Sequence, residues 1–219
     1  MSDDLTGVFD KIYRDNHWKN RESRSGGGST LHYTVNLRHQ LPFFARRFGI
    51  KTFFDAPCGD LNWMRKVEFK PGISYIGGDV SSEVIARLEE EKPIPDGRYL
   101  HFDITRDPFP DADVWFCRDC WFHLPLADIL KALENFCRSG VRYLFTTTHL
   151  NISGFRNKDM AAGGFRLIDL FSEPFMFPPQ VAFRIADYIF PFPPREMCVW
   201  TREEIAALLP DLRRKIAGA

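Results

Sequence analysis

The stretch from Lys51 to Met64, KTFFDAPCGDLNWM, constrains the fold more than any other part of the chain. Residues 52–55 are typical of a short buried strand, because adjacent phenylalanines favour β-structure. Small residues over 56–59 predict a tight turn, and Asp60 is a suitable N-cap for a helix over 61–67. A strand, a turn and a helix start in this order bring backbone N–H groups to the carboxyl edge of a sheet, where open α/β sheets bind ligands.

The turn does not have the glycine pattern of a dinucleotide site. Only Gly59 corresponds to the G-x-G-x-x-G fingerprint, and Pro57 stiffens the turn. Asp55 at the strand end would repel a pyrophosphate, whereas it would attract an ammonium or sulfonium group or accept from a sugar hydroxyl. The turn therefore favours a cationic or hydroxylated ligand.

Two further predicted strands also end in aspartate. Residues 73–79 end in Asp79, and residues 98–102 are followed by Asp103 and Ile104. Asp79 follows the turn at roughly the 20-residue spacing of a ribose-binding acid in βαβ nucleotide sites, although it could also cap the helix that begins at Ser81 or Ser82. Buried carboxylates gathered at one sheet edge are costly without a partner, so they predict a ligand there.

The remaining elements alternate as in an α/β protein with a mostly parallel sheet. Helices are predicted over 4–14, 31–48 with a kink at Pro42, 126–137 and after the capping box Thr201–Glu204, and strands over 113–118, 141–148, 181–190 and 196–200. We divide the chain into an N-terminal helical cap with a glycine-rich lid (1–50) and the main domain (51–219). Residues 149–180 have no helical period and are rich in Gly, Pro and Phe, which predicts a substrate-binding insertion.

Composition narrows the class of partner. The 219 residues contain 29 Lys and Arg against 29 Asp and Glu, so there is no electrostatic case for nucleic acid. No apolar run approaches the ~20 residues of a membrane span, and the acidic N-terminus is unlike a signal peptide. Five cysteines without such a signal favour free thiols and a cytoplasmic location. The 21 phenylalanines either fill the core or line an apolar pocket.

The DAPCGD turn resembles the first motif, hhDhGxGxG, of class I S-adenosylmethionine (SAM) methyltransferases, and the three strands that end in aspartate strengthen the resemblance. Pro57 and Cys58 depart from the common pattern, as they do in some small bacterial members of the family. The resemblance implies a doubly wound, seven-stranded, mostly parallel Rossmann-like sheet and SAM as cofactor, with S-adenosylhomocysteine (SAH) as product. It implies that Asp79 accepts from the ribose and that Asp103 and Ile104 hold the adenine. The full set of expected cofactor-binding residues is Asp55, Ala56, Pro57, Gly59, Asp60, Trp63, Asp79, Val80, Asp103, Ile104, Arg118, Trp18, Ser25 and Gly26.

The glycine-rich segment 16–30, here called the lid, can be interpreted in two ways. Three consecutive glycines among Ser and Arg are typical of a flexible linker. A tryptophan is unusual in a linker, and a glycine loop that enters a helix can close over a ligand. In bacterial methyltransferases that the chain resembles, such a segment caps the cofactor pocket, which here would involve Tyr13, Trp18, Ser23, Ser25, Gly26, Gly28 and Ser29.

The loop 119–125 is expected to face the transferred methyl group. A neutral imidazole suits proton removal from an acceptor, so His123 is the candidate base, with Asp119 to orient it or to contact the cofactor. His149 at the end of the fifth strand is the competing base, and a helix-capping role is the alternative for His123. Arg118 could bind an anionic substrate group or pair with the aspartates.

The expected reaction is methyl transfer to a small hydroxylated acceptor, such as a sugar, a glycan or another metabolite. An N-methyltransferase acting on a protein or small amine is the second candidate, and a non-catalytic SAM-binding module is the third. A homodimer is left open. Cys117, Cys120 and His123 have the spacing of half a zinc site, but no second CxxC accompanies them, so no metal is expected.

Overall fold

In a computed structural model, which describes residues 5–218, seven strands form a single sheet. The strands are β1 (Thr52–Asp55), β2 (Ser74–Asp79), β3 (Arg98–His101), β4 (Val114–Cys117), β5 (Tyr143–His149), β6 (Phe183–Ala186) and β7 (Arg195–Thr201). Their order is β3-β2-β1-β4-β5-β7-β6. The first five run parallel, and β7 lies antiparallel to both β5 and β6.

Helices cover both faces of the sheet. They are α1 (Leu5–Arg14), α2 (Val35–Arg47), α3 (Ser82–Glu91), α4 (Leu126–Arg138) and α5 (Arg202–Ala217). Successive strand side chains point to opposite faces, so Phe53 packs in the core with α2 and α3, while Phe54 packs in the core with α4 and α5. The doubly wound arrangement predicted from the sequence is therefore present. None of the helices within residues 5–218 is both long and apolar enough to cross a bilayer.

Two predicted helices differ from the structure. The helix expected over 61–67 is absent: Leu61 has φ +53°, and only a short 3₁₀ turn, Met64–Lys66, follows. A left-handed residue cannot continue a right-handed helix, and the Asp60 carboxylate is shared with donors of the lid instead of capping a helix alone. The helix expected over 31–48 begins later, at Val35, after a turn. The capping box at Thr201 and Glu204 is confirmed.

Residues 150–180 contain neither helix nor strand, in keeping with the lack of a helical period. The strand expected over 181–190 is shorter, at Phe183–Ala186. Much of the segment 150–180 is nevertheless core structure. Ile168, Leu170, Phe175 and Phe177 are almost fully buried, and the Phe177 ring lies edge-on to Trp200 of β7 at 5.0 Å between centroids. Ten of the 21 phenylalanines are among the buried core residues.

Candidate active site

A cavity of about 520 Å³ opens at the carboxyl ends of the parallel strands. This volume falls within the roughly 300–1,000 Å³ typical of small-molecule sites. Seventeen residues were expected to bind the cofactor or to take part in catalysis. Fifteen of them line this cavity: Trp18, Ser25, Gly26, Asp55, Pro57, Gly59, Trp63, Asp79, Val80, Asp103, Ile104, Arg118, Asp119, His123 and His149. The three strand-end aspartates, from neighbouring strands, are among them.

Asp79, at the end of β2, is held by the turn after β1. Its carboxylate accepts from the backbone N–H of Gly59 at 2.9 Å and from that of Ser81 at 2.9 Å. Burial raises its pKa, while these two N–H donors oppose the shift. The side chain therefore links the turn to the start of α3, where Ser81, and not Asp79, is the N-cap residue.

Asp55, at the end of β1, is buried beside a phenol. The Tyr75 hydroxyl donates to its carboxylate at 2.6 Å. Burial raises the pKa of Asp55 to about 8, although the Tyr75 hydrogen bond opposes that rise. Asp55 is thus a neutral carboxylic acid near pH 7 unless a cation enters the cavity.

Asp103 follows β3 and is held in a turn of its own. The carboxylate accepts from the Thr105 backbone N–H at 2.9 Å and from the Thr105 hydroxyl at 2.6 Å. Arg106, which is 66% exposed, lies 3.2 Å from its second oxygen. Asp103 is therefore oriented before any ligand binds.

Ala56 and Asp60 are the two expected cofactor residues that do not line the cavity. Ala56 is fully buried, and its carbonyl accepts from the Trp115 indole at 2.7 Å. Asp60 faces the lid, where its carboxylate accepts from the Ser23 hydroxyl at 2.9 Å and the Arg24 backbone N–H at 2.8 Å. The structure thus gives Asp60 a part in fastening the lid.

The lid lies along the cavity and is fastened beside the β1 turn. The Asp60 backbone N–H donates to Ser25 Oγ at 3.0 Å. A Cβ atom at Gly59 would lie 2.3 Å from the same Ser25 Oγ. At the other end of the lid, a Cβ atom on Gly28 would come within 2.8 Å of Arg195. A side chain at either point would force these polar side chains to shift. Ser23 is the one expected capping residue of the lid that does not reach the cavity.

A buried ion network forms the wall beneath the lid. Arg118 donates to Asp187 at 2.8 Å and to the Gly28 carbonyl at 2.7 Å. Arg195 donates to Asp119 at 2.7 Å. Burial alone would raise the pKa of Asp119, but Arg118 and Arg195 outweigh it and hold the pKa below its usual value. Two cations and two anions balance each other here, and Arg118 pairs with Asp119 and Asp187 instead of the strand-end aspartates.

Two histidines line the same cavity with different hydrogen bonds. His123 Nδ1 lies 2.6 Å from the Gly164 carbonyl oxygen, and its ring packs against Trp18 at 4.7 Å between centroids. His149 Nδ1 accepts from the Ile168 backbone N–H at 3.2 Å. Burial lowers the pKa of both rings, for His149 to about 4. Both imidazoles are therefore neutral near pH 7.

Arg195 is the main site residue that the sequence analysis missed. Its guanidinium lies 4.8 Å from the centre of the Tyr33 ring and is nearly buried. The position of Arg195 could have been inferred from the strand order. Because β7 runs antiparallel to β5, with Arg195 opposite His149 in the strand register, the first residue of β7 lies at the carboxyl edge of the parallel strands. Its partner Asp187, in the β6–β7 loop, could not be placed in this way.

Within residues 5–218, no group of three or more His, Cys, Asp or Glu side chains is arranged to hold a metal ion. Cys117 is buried in β4 and Cys120 lines the cavity, both as free thiols. Burial raises the pKa of Cys117 well above its usual value. A high thiol pKa opposes the thiolate form that metal binding needs.

No family model and no curated protein matches the sequence. Many solved structures match the fold. Magnesium protoporphyrin IX methyltransferase (ChlM) from Synechocystis PCC 6803 with bound SAH is similar with a TM-score of 0.60 at 13% identity, over 91% of this chain and 100% of that one.

Two other similar structures are also methyltransferases. The N-methyltransferase NodS from Bradyrhizobium japonicum WM9 in complex with SAH gives a TM-score of 0.58 at 12% identity, over 91% of this chain and 98% of that one. Human N-acetylserotonin methyltransferase in complex with SAM gives a TM-score of 0.54 at 12% identity, over 88% of this chain and 58% of that one. Together with the mixed seven-stranded sheet, these likenesses show that the chain has the class I methyltransferase fold that its sequence predicted.

Proposed function

We propose that this protein is a SAM-dependent methyltransferase that acts on a small hydroxylated acceptor. The observation that carries the proposal is that Asp55, Asp79 and Asp103, from the ends of three adjacent strands, all line one cavity. A ligand with a cationic end, a ribose and an adenine would partner this row of carboxylates. That the chain is one of the small bacterial enzymes with a DAPCGD motif is part of the proposal.

The cofactor would lie across the row of strand ends. Each Asp79 oxygen accepts one backbone N–H, which leaves a lone pair on each for the two ribose hydroxyls. Asp103 and Ile104 would hold the adenine, and Asp55 would face the cationic end. Trp18, Ser25 and Gly26 of the lid would cover the bound cofactor. When bound, SAM supplies an electrophilic methyl group on a sulfonium.

The two histidines differ in which nitrogen is free to accept a proton. The Gly164 carbonyl can only accept, so His123 Nδ1 carries the proton and Nε2 has the lone pair. The Ile168 N–H can only donate, so neutral His149 carries its proton on Nε2. We therefore assign His123 as the base and His149 as a hydrogen-bond donor toward the acceptor.

The acceptor end of the cavity would hold the hydroxyl for in-line displacement. With SAM bound, the acceptor oxygen would bond to the methyl carbon as the carbon–sulfur bond breaks with its electron pair left on sulfur, and His123 Nε2 would take the hydroxyl proton. Asp119 pairs with arginines and lies outside this proton path. Two residues of the segment 149–180, His149 and Phe165, line the cavity. Their position supports a role for this segment in binding the acceptor.

Three measurements test the proposal. Calorimetry should show SAM and SAH binding to the wild type, strong loss with Asp79→Ala, and unchanged affinity with the exposed control Asp111→Asn. A metabolite extract incubated with methyl-labelled SAM should then yield a labelled product, and its chemistry separates O- from N-methylation. With that acceptor, His123→Gln should keep SAM affinity and slow turnover roughly 10²- to 10⁴-fold. SAM binding without transfer to any acceptor would favour a binding module instead.

A further inference from the structure

A second pocket, of about 360 Å³, lies on the outer side of the lid. Unlike the main cavity, it is lined almost wholly by polar groups, among them four arginines. Arg21 and Arg24 belong to the lid, Arg65 follows the β1 turn, and Arg87 lies on α3. Nothing in the proposed methyl transfer uses this pocket.

The two carboxylates that line the pocket are occupied by other donors. Glu22 accepts from the Leu31 backbone N–H at 2.6 Å and from the Asn62 amide at 2.8 Å. Asp60 accepts from Ser23 and from the backbone of Arg24. Neither carboxylate forms an ion pair with one of the four guanidinium groups among residues 5–218. The acids therefore fasten the lid and form no ion pair with the arginines.

The arginines themselves have few partners. Arg87 pairs with Glu91 at 2.6 Å and donates to the Tyr13 hydroxyl at 3.1 Å. Arg24 reaches the Tyr13 carbonyl at 3.5 Å. No hydrogen bond or ion pair of the Arg21 or Arg65 side chain is seen within the described residues. Like charges held around one pocket repel each other, so an anion bound among them would be strongly favoured.

The residues that line the pocket carry a net positive charge. Four arginines against Glu22 and Asp60 leave an excess of two positive charges in the lining, or one if Glu91 outside the pocket is counted. A phosphate monoester carries about −1.5 to −2 at pH 7, whereas a single carboxylate carries only −1. Guanidinium groups also bind phosphate oxygens in a bidentate manner.

We propose that this pocket binds a phosphate monoester. The ligand would bridge Arg21 and Arg24 of the lid to Arg65 and Arg87 of the body. A bound phosphate would therefore hold the lid against the domain, next to the Asp60 contacts that already fasten it.

The test is calorimetry on the full chain without SAM, with glycerol 3-phosphate, inorganic phosphate and glycerol as probes. Glycerol 3-phosphate and inorganic phosphate should both bind saturably, and glycerol should not bind. Arg65→Gln should lower the affinity for glycerol 3-phosphate roughly tenfold or more, because a charge-assisted hydrogen bond is lost. Arg47→Gln, at an exposed arginine of α2, should change nothing.

Absence of saturable binding at millimolar glycerol 3-phosphate would overturn the proposal. So would wild-type affinity in both Arg65→Gln and Arg21→Gln, with circular dichroism confirming that each variant is folded. If Arg65→Gln does not fold, Arg21→Gln decides the outcome, because its side chain has no partner to lose. No result here depends on SAM binding or methyl transfer.

Discussion

The Asp119 carboxylate lies 2.7 Å from Nη2 of Arg195 and 3.4 Å from Nη1 of Arg118. Both arginines also pair with Asp187, whose side chain is completely buried. We expect Asp119→Asn to lower the free energy of unfolding by about 3 kcal/mol, because it leaves an unbalanced cation in a buried network. Asparagine has the same shape and tolerates the φ of +55° at this position, so the change isolates the charge. Denaturant unfolding of the wild type and the variant measures this difference in the free energy of unfolding.

A double-mutant cycle separates the ion pair from general damage. The double variant Asp119→Asn, Arg195→Gln should lose less free energy of unfolding than the sum of the losses in the two single variants, because the cation and its partner are then removed at once. The exposed Asp111→Asn change should cost little. Additivity within about 0.5 kcal/mol would mean that the two side chains do not stabilise each other.

The close approach of Gly59 to the lid makes a second prediction. Gly59 has φ +56°, and a Cβ atom there would overlap with Ser25 Oγ. We expect Gly59→Ala to cost about 1–2 kcal/mol in stability from the left-handed backbone. It should also weaken SAM binding, because Ser25 must move out of contact with the Asp60 N–H. Thermal unfolding and calorimetry measure the two effects.

Gly140 provides the matched control for that change. No heavy atom lies within 4 Å of the place where its Cβ would stand, and its φ is not positive. Gly140→Ala should therefore leave both SAM affinity and stability nearly unchanged. Wild-type SAM affinity in Gly59→Ala would show that the lid contact does not matter for cofactor binding.

The strand-end aspartates show what could be predicted from this sequence. Asp55, Asp79 and Asp103 each follow an apolar run, and parallel strands bring their carboxyl ends to one edge, so local pattern and sheet geometry together placed them in one cavity. The capping box at Thr201 was equally local and equally clear. Features whose cause lies within a few residues are the ones that sequence reasoning captured.

Asp60 and Asp187 show why the rest could not be predicted. Asp60 has the local signature of a helix N-cap, but Ser23 and Arg24, more than thirty residues earlier, bind its carboxylate in the folded protein. Asp187 lies in a loop and pairs with Arg118 across 69 positions. Contacts between distant parts of the chain depend on how the lid and the β6–β7 loop pack, which periodicity does not encode.

The depressed pKa of His149 predicts how stability depends on pH. Burial lowers this pKa to about 4, below the value of about 6.5 in an unfolded chain. As pH falls through this window, the unfolded chain takes up a proton that the folded protein resists, so His149 stabilises the fold above pH 6.5 and that stability is lost toward pH 4. The loss should amount to about 3 kcal/mol.

His149→Asn tests this assignment, because its side-chain oxygen can still accept from the Ile168 N–H but does not titrate. The variant should lose stability less steeply than the wild type between pH 6.5 and 4, as followed by urea unfolding. His39→Asn, at an exposed histidine of α2, should keep the wild-type slope. Parallel curves for the wild type and His149→Asn would place the acid sensitivity elsewhere.

The raised pKa of Asp55 links cofactor binding to proton release. With a pKa of about 8, caused mainly by burial, the carboxyl group is protonated at pH 7 in the free protein. A cationic ligand nearby favours the charged carboxylate and lowers that pKa. We therefore expect SAM binding at pH 7 to release about one proton per site. The binding enthalpy should accordingly differ between Tris and phosphate buffers, whose ionisation enthalpies differ.

Asp55→Asn separates this proton from others in the cavity. Asparagine can still accept from the Tyr75 hydroxyl but has no proton to release, so its SAM binding enthalpy should be nearly the same in both buffers. SAH carries the same ammonium group but no sulfonium. Full proton release with SAH would assign the effect to the ammonium, and release with SAM alone would assign it to the sulfonium. Equal buffer dependence in wild type and Asp55→Asn would show that the Asp55 carboxyl is already ionised, or that it stays protonated, when the cofactor binds.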